Sequence, residues 1–169
     1  MRQEQITEVR IDDLHRLFLR PVETMFDKIY RAAMGVGWDE EAQALVGPAP
    51  REIGHSRWFE HILAAAADEY GVALTLGPHT VWTNVSSDVR RDMEAFARSD
   101  WVVKFTAARA ATDKAHWHHH QLQQALSDAA PYWESGQYAE YARPLAPIRE
   151  LLSPAQLKRL AIAERRART

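Results

Sequence analysis

No cysteine occurs anywhere in this chain. Disulfides, thiolate nucleophiles and Cys-ligated zinc are therefore outside its chemistry. A reducing compartment fits that composition, and a cytoplasmic location is the expectation. Glycine is scarce at seven residues, and none falls into G-x-G-x-x-G or a phosphate-binding loop. Gly54-His55-Ser56 lacks the flanking glycine of a nucleophile elbow. Long apolar runs are missing too. The longest, Ile62 to Ala67, is far too short to span a bilayer, so no membrane partner is expected. The opening residues Met1 to Glu8 contain no apolar signal core. Neither sign of charge dominates: the formal net charge is −2, which gives no electrostatic case for nucleic acid.

What the chain does contain is helical periodicity. Ile11, Leu14, Phe18, Val22, Met25, Ile29 and Ala33 recur at three- and four-residue steps, which predicts an amphipathic helix from about Ile6 to Met34, kinked or broken near Arg20 by Pro21. Glycines and prolines punctuate residues 35–55, which read as a connection. Ser56 to Tyr70 reads as a helix capped by Ser56 and closed by Gly71. Residues 72–76 and 80–85 are rich in β-branched and aromatic side chains, with Gly77-Pro78-His79 between them, and predict a small hairpin. Ser86 or Ser87 caps the next helix. A longer helix runs from Trp101 to about Ala130, ended by Pro131. Ser153-Pro154-Ala155-Gln156 carries a capping box with proline at the first helical position. The expected fold is mainly α: one helical-bundle domain spanning residues 1–169, with a small β-hairpin near 72–85.

Chemistry concentrates in Asp113 to Leu126, which places His116, His118, His119 and His120 around Trp117. On a helix, His116 and His120 lie four residues apart and can present two imidazoles to one metal, with Asp113 as an oxygen ligand or an orienting partner. The plainer reading is a solvated helix face. His118 and His119 flank the Ala/Leu stripe formed by Ala108, Ala111, Ala115, Leu122 and Leu126. Residues 115–124 resemble the His-bearing helix of DinB/YfiT-like metal-dependent four-helix proteins. That resemblance spans this short stretch alone. It implies that His116 and His120 act with His61 or His55 on a divalent metal such as zinc, leaving an open position for water.

Six tryptophans are generous for this length, and Trp58 and Trp101 read as core. Trp117 projects opposite the Ala/Leu stripe and Trp38 stands in a glycine-flanked loop, positions typical of interface anchors. From Pro154 onward Lys158, Arg159, Arg165, Arg166 and Arg168 oppose Glu164, a local net charge of +4. That segment reads as a basic arm or as a last helix whose cations suit its dipole. The leading functional reading is a non-enzymatic interaction or regulatory protein of the inhibitor, immunity or accessory-subunit kind. It would bind a protein partner through Trp117, Trp38, His118 and His119, and need no cofactor. Self-association is compatible with it. The alternative is a metal-dependent helical enzyme that uses His116, His120 and His61.

Overall fold

The first apolar residues of the chain lie on a strand and not on a helix. In the computed structural model, which describes residues 1–51 and 53–168, β1 (Arg2–Ile11) buries Glu4, Ile6, Val9 and Ile11. These positions alternate at a period of two until a register shift between Ile6 and Glu8 inserts one extra residue. The bulge turns a two-residue step into a three-residue step. On paper, Ile6 to Val9 therefore imitates helical spacing, and the expected helix over 6–34 does not form. β2 (Leu17–Pro21) runs antiparallel to β1 and buries Leu17 and Leu19 on the same side. Leu14, Val22 and Met25, which the helical stripe would bury, are more than half exposed.

The predicted bundle is thus replaced by mixed α and β structure. Strands β3 (Gly37–Asp39) and β4 (Ala44–Gly47) form inside the stretch read as a connection. With β5 (Val72–Thr83) they complete a five-stranded sheet of order β3-β4-β2-β1-β5. The hairpin expected at 72–85 is also absent. Both of its apolar segments belong to β5, and both pair with β1 in parallel: Leu74 opposite Glu4, Leu76 opposite Ile6, then Val81 opposite Glu8. Residues 77–80 bulge out opposite the bulge of β1. The hydroxyl of Thr80 secures that bulge by donating to the Ile6 carbonyl at 2.7 Å and accepting from the Gly77 N–H at 2.9 Å.

Helix α1 (His55–Tyr70) follows the sequence pattern closely. Phe59, Ile62, Leu63 and Ala66 are fully buried against the sheet residues Ile6, Val9, Leu17, Leu19 and Leu74. Gly71 ends the helix at φ +64, a left-handed conformation that glycine adopts without steric cost. Helix α2 (Ser87–Arg98) is capped by Ser86, whose hydroxyl accepts from the Val89 N–H, and it buries Met93. Phe96 meets Phe59 edge-on at 6.4 Å and stacks with Trp101 at 5.6 Å.

Two compact units divide the chain, residues Met1–Phe105 and Thr106–Thr169. Helix α3 (Trp101–Glu134) opens in the first and continues into the second. Pro131 does not end it at that residue. Proline in the last turn leaves one carbonyl without its usual donor. The helix runs on to Glu134, the Ser135 N–H returns to the Pro131 carbonyl at 3.2 Å, and Gly136 turns the chain at φ +74. In the second unit Ala125 and Ala129 of α3 pack with Tyr141 and Leu145 of α4 (Tyr138–Leu145) and with Leu160 and Ala163 of α5 (Pro154–Arg166). The predicted capping box is formed: Gln156 N–H donates to the Ser153 hydroxyl, and Ser153 N–H donates to the Gln156 side chain at 2.7 Å.

One charged side chain is buried with the core. Glu4 accepts from the backbone N–H of Glu23 at 2.8 Å and of Thr24 at 2.7 Å, from the Thr24 hydroxyl, and from Arg2 at 3.1 Å. Burial pushes its pKa up. The hydrogen bonds from Thr24 and Glu23 and the charge of Arg2 outweigh that push and leave the pKa lowered. The folded chain therefore binds this proton more weakly than the unfolded chain does. The stability that Glu4 contributes is complete above its unfolded pKa and is lost as pH falls through the lowered folded value. Glu4→Gln is expected to cost about 2 kcal/mol in denaturant unfolding at neutral pH, the scale of hydrogen bonds to a buried charge. It should also flatten the acid limb of the stability curve. A cost near zero, with an unchanged acid limb, would remove this role.

Candidate functional site

On α3 every residue from Thr106 to Trp117 is exposed. The ring of Trp117 remains 59% exposed and lies tilted 5.7 Å from His118. His118 is half-buried, while His116, His119 and His120 are exposed. His116 and His120 share one helix face, as their spacing requires. His61 sits on α1 in the first unit, exposed and edge-on to Trp58 at 5.6 Å. The His55 ring donates from Nε2 to the His15 carbonyl at 3.0 Å, tying the start of α1 to the β1–β2 turn. Among the described residues no three His, Asp or Glu side chains stand together as a metal-holding group. The three-ligand set implied by the DinB/YfiT resemblance would draw His61 from the first unit and His116 and His120 from the second.

Trp38 does not stand free in a loop. It lies on β3, half-buried, with its ring 6.0 Å from Phe26, and it packs against the core of the first unit. Among the described residues, its indole N–H and that of Trp58 are buried without a hydrogen-bond partner. The basic C-terminal residues are partly committed to their own unit. Arg159 lies 4.2 Å above the Trp133 ring, Arg166 lies 5.0 Å above Tyr138, and Arg149 pairs with Glu164.

The first unit holds a cleft of about 300 Å³ between β5 and α2, which sequence reasoning missed. Thr75, Leu76, Gly77, Pro78, Thr80 and Trp82 line it from the strand. Arg90, Glu94, Ala97 and Arg98 line it from the helix. Glu94 accepts from Arg90 Nε at 2.7 Å and from Arg98 at 2.5 Å. The hydrogen bond from Arg90 is the main reason its pKa is lowered. The Arg90 guanidinium lies 5.0 Å over the Trp82 ring. The i, i+4, i+8 spacing of Arg90, Glu94 and Arg98 was the available signal. It reads as a solvated salt-bridged face until β5 supplies a facing wall.

A protein-family model for the Integron Cassette Protein Hfx_Cass5 matches residues 4–80. A solved structure of the Integron Cassette Protein Hfx_Cass5, from the mobile metagenome of North West Arm Sewage Outfall, is 40% identical to this chain. The match covers 59% of this chain and 99% of that one, at a TM-score of 0.30. This chain belongs to the Hfx_Cass5 integron cassette protein family. No curated protein matches it. The family-matched residues run from β1 into β5 and fall inside the first unit; α4 and α5 lie beyond them. No described helix is long and apolar enough to cross a membrane.

Two imidazoles one helical turn apart chelate a divalent ion only weakly without a third ligand. Untagged protein loaded with zinc at neutral pH is expected to lose it on dialysis and to keep the same melting temperature in chelator. Stoichiometric zinc retained after dialysis, and lost in His120→Ala, would restore a metal site at this helix.

Proposed function

We propose that this chain is a protein-interaction module whose docking face is the exposed part of α3 centred on Trp117. The observation that carries this reading is a tryptophan left 59% exposed on a helical span exposed at every position from Thr106 to Trp117. A large aromatic ring gains most from burial and is a frequent anchor of interfaces. His118 and His119 border the ring and offer donors and acceptors at the rim of the face. Trp38 has no part in it, because its ring is packed against Phe26.

Charge selects the partner. Residues 106–169 hold nine Lys and Arg against six Asp and Glu, a net charge of +3, whereas residues 1–105 carry −5. A basic unit that presents an exposed aromatic fits an acidic protein surface, with the charges speeding encounter and the ring supplying affinity. The span from Ala107 to Ala115 includes five alanines, whose small side chains let a partner backbone approach closely while holding the helix by propensity.

The test starts from the full chain as bait in its host, followed by purification of the retained protein and measurement of the complex alone. Trp117→Ala is expected to weaken that complex about thirtyfold, equivalent to about 2 kcal/mol, with no change in melting temperature. Affinity should also fall as salt is raised. An unchanged Kd, or a parallel loss of thermal stability, would sink the proposal. So would retention of nucleic acid in place of protein, or a self-association that Trp117→Ala abolishes, since each assigns the face to another occupant.

A further inference from the structure

Arg90 is fixed at two points. Its Nε donates to Glu94 at 2.7 Å and its plane lies 5.0 Å over Trp82. Among the described residues Glu94 is the acceptor found for Arg90. Arg98 likewise donates to Glu94, at 2.5 Å. One carboxylate thus orients two guanidiniums, and the cleft retains a net charge of +1.

The remaining walls narrow the ligand further. The Thr80 hydroxyl is already used between Gly77 and Ile6, and the Thr75 hydroxyl donates to the Glu4 carbonyl at 3.3 Å. Arg90 and Arg98 are the cationic donors of the cleft. Leu76, Pro78 and Ala97 add apolar surface beside them. A neutral hydrogen-bonding ligand would find few partners here, whereas an oxyanion would meet the forked donors that guanidinium presents to planar or tetrahedral oxygens. A volume of about 300 Å³ suits a small molecule, at the lower end of ligand pockets.

We propose that the β5–α2 cleft binds a small organic acid: a carboxylate or phosphate monoester on an apolar body, its oxyanion held by Arg90 and Arg98. Glu94 is a positioning residue that holds both guanidiniums toward the cleft, and Trp82 supports Arg90 from behind. The site lies in unit 1 and does not depend on the α3 docking face.

Benzoate, phenyl phosphate and neutral benzamide are suitable probes, titrated into the full chain and followed by NMR at the Trp82 indole N–H and Arg90 Nε–H. Saturable shifts at both groups are expected with benzoate or phenyl phosphate, and the tighter of the two identifies the oxyanion. Benzamide should bind at least about tenfold more weakly, the scale of losing one charge-assisted contact. Arg90→Gln and Arg90→Lys should each weaken the better acid by about tenfold or more. Arg91→Gln, whose parent residue pairs with Asp88 outside the cleft, should leave it unchanged. Should Arg90→Gln disturb folding, Arg98→Gln at an exposed position should still weaken binding. Linear, unsaturated shifts, equal affinity for benzamide, or an equal loss in Arg91→Gln would overturn the site.

Discussion

The ladder on both edges of β1 is the constraint from which the first unit is built. A strand flanked on both sides must satisfy two rows of backbone donors and acceptors at once. β2 supplies one row antiparallel and β5 supplies the other parallel. On the β5 side residues 77–80 stand opposite Thr7 alone and bulge out of the ladder, and Thr80 ties them back with its hydroxyl on the Ile6 carbonyl. Gly77, Pro78 and Thr80 of this bulge form part of the wall facing α2. The same irregularity that keeps Ile6 and Val9 on one face thus shapes the cleft.

Two carboxylates in this unit perform contrasting work. Glu4 is buried and spends its oxygens on the backbone of Glu23 and Thr24, so it fixes the chain leaving β2. Glu94 is partly exposed and spends its oxygens on two arginines of its own helix. Both pKa values are lowered by donors that favour the ionised form, Glu4 against the opposing push of burial. The first satisfies a folding demand. The second holds two guanidiniums on one face of α2 and adds little to stability, since exposed ion pairs contribute little.

The family match ends within β5, so it takes in most of the sheet and all of α1 and stops short of Trp82. The helical second unit carries the histidine segment and Trp117 beyond that matched range. Its own core is small, built on Ala125, Ala129, Tyr141, Leu145, Leu160 and Ala163, with Trp133 and its covering Arg159 at the side.

Where a structural signal is local, the amino-acid order by itself determined the outcome. Ser153 and Gln156 lie close enough in the chain to complete each other's hydrogen bonds, Gly71 adopts its left-handed φ without steric cost, and the stripe of Phe59, Ile62, Leu63 and Ala66 keeps one period for the whole of α1. The histidine segment is helical for the same reason, and its i, i+4 pair is where spacing put it. The sheet was not legible, because strand pairing joins residues distant in sequence and the bulge in β1 disguises a period of two as a helical step. Only the tertiary structure decided that residues 72–83 extend beside β1 and do not fold on themselves. It also decided that Trp38 packs on Phe26 while Trp117 stays exposed, and that β5 faces Arg90 and Arg98 across a cleft. Each of these depends on which distant surface arrives opposite a residue, and that is information a local pattern does not contain.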